Sequence, residues 1–142
     1  MGSQIQSETS PTTPAVVFSQ SDIERFCGHL SELCHTESVR GGWWHDPKDG
    51  SALNREKGTL LCLIHSEISE ALEGERKDLM DDKLPERKMV EVELADALIR
   101  IFDYAGAAGL DIGGAVAEKI LFNRSRSDHK AENRQLAGGK AF

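Results

Sequence analysis

The chain has 142 residues, enough for one domain, and a formal net charge of −7. That acidity argues against a nucleic-acid partner, because backbone binding depends on clustered Lys and Arg. No apolar run is long enough to span a membrane, and the N-terminus lacks the charged-then-apolar pattern of a secretory signal.

In chain order, residues 1–20 are rich in Ser, Thr, Gln and Pro and read as a disordered tail. Residues 21–130 read as the folded domain, and 131–142, ending Gly138-Gly139-Lys140-Ala141-Phe142, as a mobile C-terminal tail. Four helices are expected. The first opens at Ser21-Asp22-Ile23-Glu24, a capping-box pattern, and carries Ile23, Phe26, Cys27, Leu30, Leu33 and Cys34 at helical spacing. A loop follows with both tryptophans, Trp43 and Trp44, beside Gly41 and Gly42. The second helix is expected from about Asn54 to Arg76. The third is expected from near Pro85, suited to a first turn, to Gly109, and the fourth from an N-cap at Asp111 to about Asp128. Nothing alternates with period two, so the fold class is all-α: a bundle of about four helices. With 39% hydrophobic residues and one Tyr, the core is small, and association of copies is expected to complete it.

Cys27, Cys34 and Cys62 are an odd number in a chain with no secretory pattern, which fits reduced thiols in a cytoplasm, the host's if the chain is phage-encoded. Cys27 and Cys34 lie about 10 Å apart along one helix, too far to bridge. All three read as small buried apolar residues.

The carboxylates of the middle helices carry the chemistry. Leu60, Leu61, Leu63, Ile64, Ile68, Ala71 and Leu72 form the apolar arc of the second helix. At about 100° per residue, Glu67 falls inside that arc and Glu70 at its edge. A carboxylate there costs several kcal/mol unless it is paired or metal-bound. The third helix is apolar nearly all round, yet Glu93, Asp96, Arg100 and Asp103 share a sector of about 80°. Each helix thus offers two carboxylates three residues apart on one face. Opposed across a bundle they surround one small volume, and hard oxygen donors favour Mg²⁺ or Mn²⁺ over Zn²⁺. The plainer alternative is a set of surface acids with local ion pairs such as Asp96–Arg100.

Glu67-Ile68-Ser69-Glu70, a short loop, then Glu93-Leu94-Ala95-Asp96 resembles the E-x-x-E…E-x-x-D signature of the all-α NTP pyrophosphohydrolases, the superfamily of MazG, dimeric dUTPases and dCTP pyrophosphatases. The strings His65–Glu73 and Val92–Arg100 resemble the MazG-like branch, and the likeness covers roughly residues 20–130. The resemblance implies a MazG-like bundle assembled as a homodimer or homotetramer, with sites between subunits. It implies hydrolysis of a nucleoside triphosphate to monophosphate and diphosphate. Two or three Mg²⁺ or Mn²⁺ ions would sit on Glu67, Glu70, Glu93 and Asp96, with Glu67 or Glu70 activating the attacking water. The preferred substrate is a purine dNTP such as dGTP or dATP.

Lys119, Asn123 and Arg126 share one face of the fourth helix. A triphosphate needs such cationic and donor groups besides metal, although a basic stripe near a helix C-terminus also complements the helix dipole. Lys119 and Asn123 match the family's K-x-x-x-N element, which implies phosphate and sugar contacts. Trp43 and Trp44 are candidates to stack on the base; anchoring the loop or an interface is the alternative. Two other functions remain in view: a carboxylate-bridged redox bundle, disfavoured because its pattern wants Glu-x-x-His pairs and the fourth position of the acidic pairs here is Glu70 or Asp96, never His, and a catalytically silent helical interaction module.

Overall fold

The structure, a computed structural model, describes residues 18–126. Most of the expected N-terminal tail, the C-terminal tail and the chain beyond Arg126 lie outside the described residues. Four helices follow: α1 (Gln20–Arg40), α2 (Lys57–Lys77), α3 (Met89–Ala108) and α4 (Ile112–Ser125). There is no strand among the described residues. Among them, too, no helix is long and apolar enough to cross a membrane.

The helix starts are set by side chains that satisfy free backbone donors, and three of the four differ from expectation. The first helix is capped by Ser19, not Ser21: its hydroxyl accepts from Asp22 N, and the Asp22 carboxylate accepts from Ser19 N. An Asp three residues after Ser completes the box as well as Glu24 would have, so the helix begins earlier. The second helix begins at Lys57, because the Glu56 carboxylate accepts from Gly58 N at 2.7 Å and Thr59 N at 2.5 Å. The third begins at Met89 rather than near Pro85. Pro85 instead occupies a turn closed by Arg87 N donating to Leu84 O at 2.8 Å, where its fixed φ serves equally well. The buried Asp81 carboxylate organises that segment by accepting from Lys83 N and Leu84 N at 2.9 and 2.6 Å. Asp111 caps α4 as expected, accepting from Gly114 N at 2.9 Å.

Packing runs in a row. The second helix lies on α3, α3 on α1, and α1 on α4. No extensive packing joins α2 to α4, so the bundle does not close on itself. Small residues allow the close approaches. A Cβ on Gly106 would lie 2.8 Å from His35 Cβ and 2.9 Å from Ser31 O, where α1 crosses α3. One on Gly113 would lie 2.7 Å from Glu24 O, where α1 crosses α4.

Among the described residues the buried apolar ones are alanines, Ala71, Ala97, Ala105 and Ala117, and no large side chain is fully enclosed. Leu61, Ile68 and Leu72 of α2, Leu94 and Leu98 of α3, and Phe26, Leu30 and Leu33 of α1 all face outwards. The cysteines depart from expectation too. Cys27 and Cys34 are half-buried, but Cys62 is exposed. Partial burial pushes the Cys34 thiol above its usual range, with the nearby Asp103 charge adding to the effect.

Candidate metal centre

The packing of α2 on α3 brings together three of the acids that the helical wheel singled out. One carboxylate oxygen each from Glu67, Glu93 and Asp96 lie within 4.8 Å of one another. Glu67 and Glu93 are buried, whereas Asp96 opens to the surface. Such burial follows from the sequence. Glu67 sits in the apolar arc of α2, and Glu93 lies one turn before Ala97, which is 1% exposed.

Electrostatics within the cluster are adverse. Burial pushes the Glu93 carboxyl up to about 7, helped by its hydrogen bond to Glu67 and by the charges of Glu70, Glu67 and Asp96. Asp96 is raised by burial and by Glu67, against the opposing pull of Arg100, and further by Asp81. The cation that reaches the cluster is Arg100, whose Nε lies 2.7 Å from Glu67 Oε1. Sequence reasoning set Arg100 against Asp96, its neighbour one turn back; the structure pairs it across the helix interface with Glu67. Asp81 was missed altogether. Its position after a Met and before a second Asp carries no helical periodicity to mark it.

Glu70 lies one turn along α2 from Glu67 and is exposed. Its charge is felt at Glu93, but it stands outside the converging trio. The donors suit a small hard cation: metal–oxygen distances of about 2.1 Å allow ligand oxygens up to about 4 Å apart, so small side-chain rotations would bring the three to bear on one ion.

Beside the cluster lies a cleft of about 330 Å³, lined by Trp43, Arg55, Asp96, Arg100 and Asp103 among others. Trp43 is 66% exposed at its rim. Trp44 is differently employed. Its Nε1 donates to Asp103 Oδ1 at 2.9 Å, its ring meets His35 edge-on, and Arg55 lies over its face at 5.5 Å. Asp103 also binds His35 Nδ1 and accepts from Ser38 Oγ, each at 2.8 Å. The third acid of the α3 stripe is therefore the post that ties α1 and the tryptophan loop to α3. The sequence placed Asp103 in that stripe, but its three partners lie 59–68 residues away and no local pattern announces them.

The basic face of α4 stands apart. Its helix packs on α1. Lys119 Nζ lies over the Phe122 ring at 4.8 Å, and Arg126 approaches the same ring at 5.8 Å. Asn123 Oδ1 is buried without a hydrogen-bond partner. No hydrogen bond or ion pair among the described residues links Lys119 or Asn123 to the acidic trio. Comparison with protein-family models, with curated proteins and with solved structures finds no match for this chain.

Proposed function

We propose that this chain is a metal-dependent nucleoside triphosphate pyrophosphohydrolase, converting a (d)NTP and water to the (d)NMP and diphosphate. The observation that carries the reading is the convergence of Glu67, Glu93 and Asp96 across the α2–α3 interface. Burying two carboxylates against each other is costly without a cation, and the four acids of the E-x-x-E…E-x-x-D pattern are all at or beside that point. Glu67, Glu93 and Asp96 would hold Mg²⁺ or Mn²⁺, with Glu70 as a rim ligand where more than one ion binds. The metal would neutralise the phosphate chain and acidify the attacking water. Glu70, exposed and not held by an arginine, is better placed than Glu67 to orient and deprotonate that water. The adjacent cleft, with Trp43 at its rim, suits a nucleoside; a purine dNTP remains the preferred substrate.

Lys119, Asn123 and Arg126 fit this reading only in an assembly. Within one chain α4 lies beyond α1, so a second copy would have to bring its α4 to the acidic centre. The outward leucines of α2 and α3 support such a homodimer or homotetramer. The same exposed faces are what a silent helical interaction module would present, and that alternative predicts no divalent-metal binding.

The test is diphosphate release from a panel of NTPs and dNTPs, with and without Mg²⁺ or Mn²⁺. Metal-dependent release of diphosphate and monophosphate in equal amounts is expected, and the ranking of bases identifies the substrate. No release from any nucleotide with either metal refutes the assignment.

A further inference from the structure

Of the acids in the cluster, Glu67 is the most committed. It is 6% exposed, yet its carboxylate is not left alone: Arg100 Nε closes on Oε1 at 2.7 Å. Arg100 comes from the facing helix, and its side chain is 43% exposed. Its charge also acts on Asp96. Arg100 therefore lies against one member of the trio and pulls on another. A divalent ion drawn to these oxygens would meet a guanidinium already there.

Arg100 also lines the 330 Å³ cleft, together with Arg55, Trp43 and Asp103. The Asp103 carboxylate is already engaged by His35, Ser38 and Trp44. A guanidinium displaced from Glu67 would find there no carboxylate without donors except Asp96, itself a member of the trio. It would add its charge to that of Arg55 in the lining of the cleft. A cleft lined by two guanidiniums is suited to an anion with several oxygens.

We propose that Arg100 is a cation-exchange latch: it serves as the counter-ion of Glu67 in the metal-free protein, yields that oxygen to the divalent ion, and turns its charge to the phosphate chain of the incoming nucleotide. The proposal rests on the metal-dependent reading given above. Arg100 thus couples two binding events. Metal alone binds against the latch, and nucleotide compensates for opening it, so each favours the other. The latch also spares the buried Glu67 from standing as an uncompensated charge before metal arrives.

The experiment compares wild type, Arg100→Gln and Arg100→Lys by titration calorimetry with Mn²⁺ alone, then with a dATP whose α,β-bridging oxygen is replaced by methylene, in saturating Mn²⁺. Thermal melts of the metal-free proteins accompany it. Arg100→Gln is expected to bind Mn²⁺ about tenfold more tightly than wild type and the nucleotide about tenfold more weakly. Arg100→Lys, which keeps a competing charge, is expected to stay within about threefold of wild type for Mn²⁺. Metal-free Arg100→Gln should melt below wild type, and Mn²⁺ should abolish the difference. Unchanged or weaker Mn²⁺ binding by Arg100→Gln overturns the latch while leaving the metal centre standing. Tighter Mn²⁺ binding with unchanged nucleotide affinity overturns the coupling. If wild type and both variants all fail to bind Mn²⁺, the metal centre fails and the latch with it.

Discussion

Glu93 is the residue at which the cost of the site is most visible. Its carboxyl is raised from an ordinary 4.5 to about 7, first by burial and then by its acidic neighbours. The folded protein therefore holds a proton there that the unfolded chain releases near pH 4.5. Between these values the native state binds more protons, so stability falls as pH rises. The metal-free protein is expected to be most stabilised by this group below pH 4.5 and to lose that contribution by the time pH passes about 7. Thermal melts across this window should show a declining Tm for wild type and a flatter profile for Glu93→Gln, which keeps the neutral form. Added Mn²⁺ should raise Tm more at pH 8 than at pH 6, because it competes with the proton for the same oxygens. A Tm that rises through the window for wild type would contradict this account. Asp103 gives the opposite case, a carboxylate fully used by donors. Asp103→Ala should destabilise by about 2–3 kcal/mol, because it strands the Trp44 and Ser38 donors. Trp44→Phe, losing one bond, should cost about 1 kcal/mol by denaturant titration.

At the scale of the element, the helices were legible because apolar spacing fixes their middles, and their ends were less so because several residues compete to cap. Ser19 and Ser21 are both good N-caps, and only the position of Asp22 selects the first. Pro85 suits a helix start or the second position of a turn, and the choice falls to Asp81, whose carboxylate holds the turn from a distance the helical pattern does not register. The acidic trio was legible for the same reason as the helices: Glu67 and Glu93 sit where periodicity demands apolar residues. The Trp44–Asp103 tie and the Glu67–Arg100 pair were not, since both join segments far apart in sequence. The glycines give this level its test. Gly106 and Gly28 both lie in helices, but a Cβ at 106 meets α1 at 2.8 Å whereas one at 28 meets nothing within 4 Å. Gly106→Ala should cost about 1–3 kcal/mol through the forced separation of α1 from α3. Gly28→Ala should stabilise by about 0.5–1 kcal/mol, the ordinary helix gain. Equal effects of the two in chemical denaturation would mean that α1 and α3 do not cross at Gly106.

For the whole molecule, the row α2–α3–α1–α4 leaves two things unfinished in one chain: its core, whose buried apolar residues among those described are all alanines, and its proposed site, whose acids and basic face belong to helices with no extensive mutual packing. A single association of copies would answer both. Leu94 and Leu98 project from α3 one turn apart, 45% and 53% exposed, and on the proposed reading they are covered by the partner. Leu98→Asp should then shift the protein to monomer by sedimentation velocity and reduce diphosphate release at least about 100-fold, although Leu98 touches no proposed ligand. The sharper consequence concerns sharing. If the acids come from one copy and Lys119 from another, a Glu67→Gln protein and a Lys119→Ala protein are each inactive because every site in the homo-oligomer carries a defect. Mixed, unfolded and refolded together, they form hetero-oligomers in which one site has both defects and another has neither. Activity should return to roughly a quarter of the wild-type value for a randomly mixed dimer, since half of the dimers are mixed and each has one intact site. Sites built within one chain would regain nothing on mixing, because every chain would keep its own lesion. The measured recovery therefore separates an assembly that only covers apolar surface from one that builds the catalytic centre.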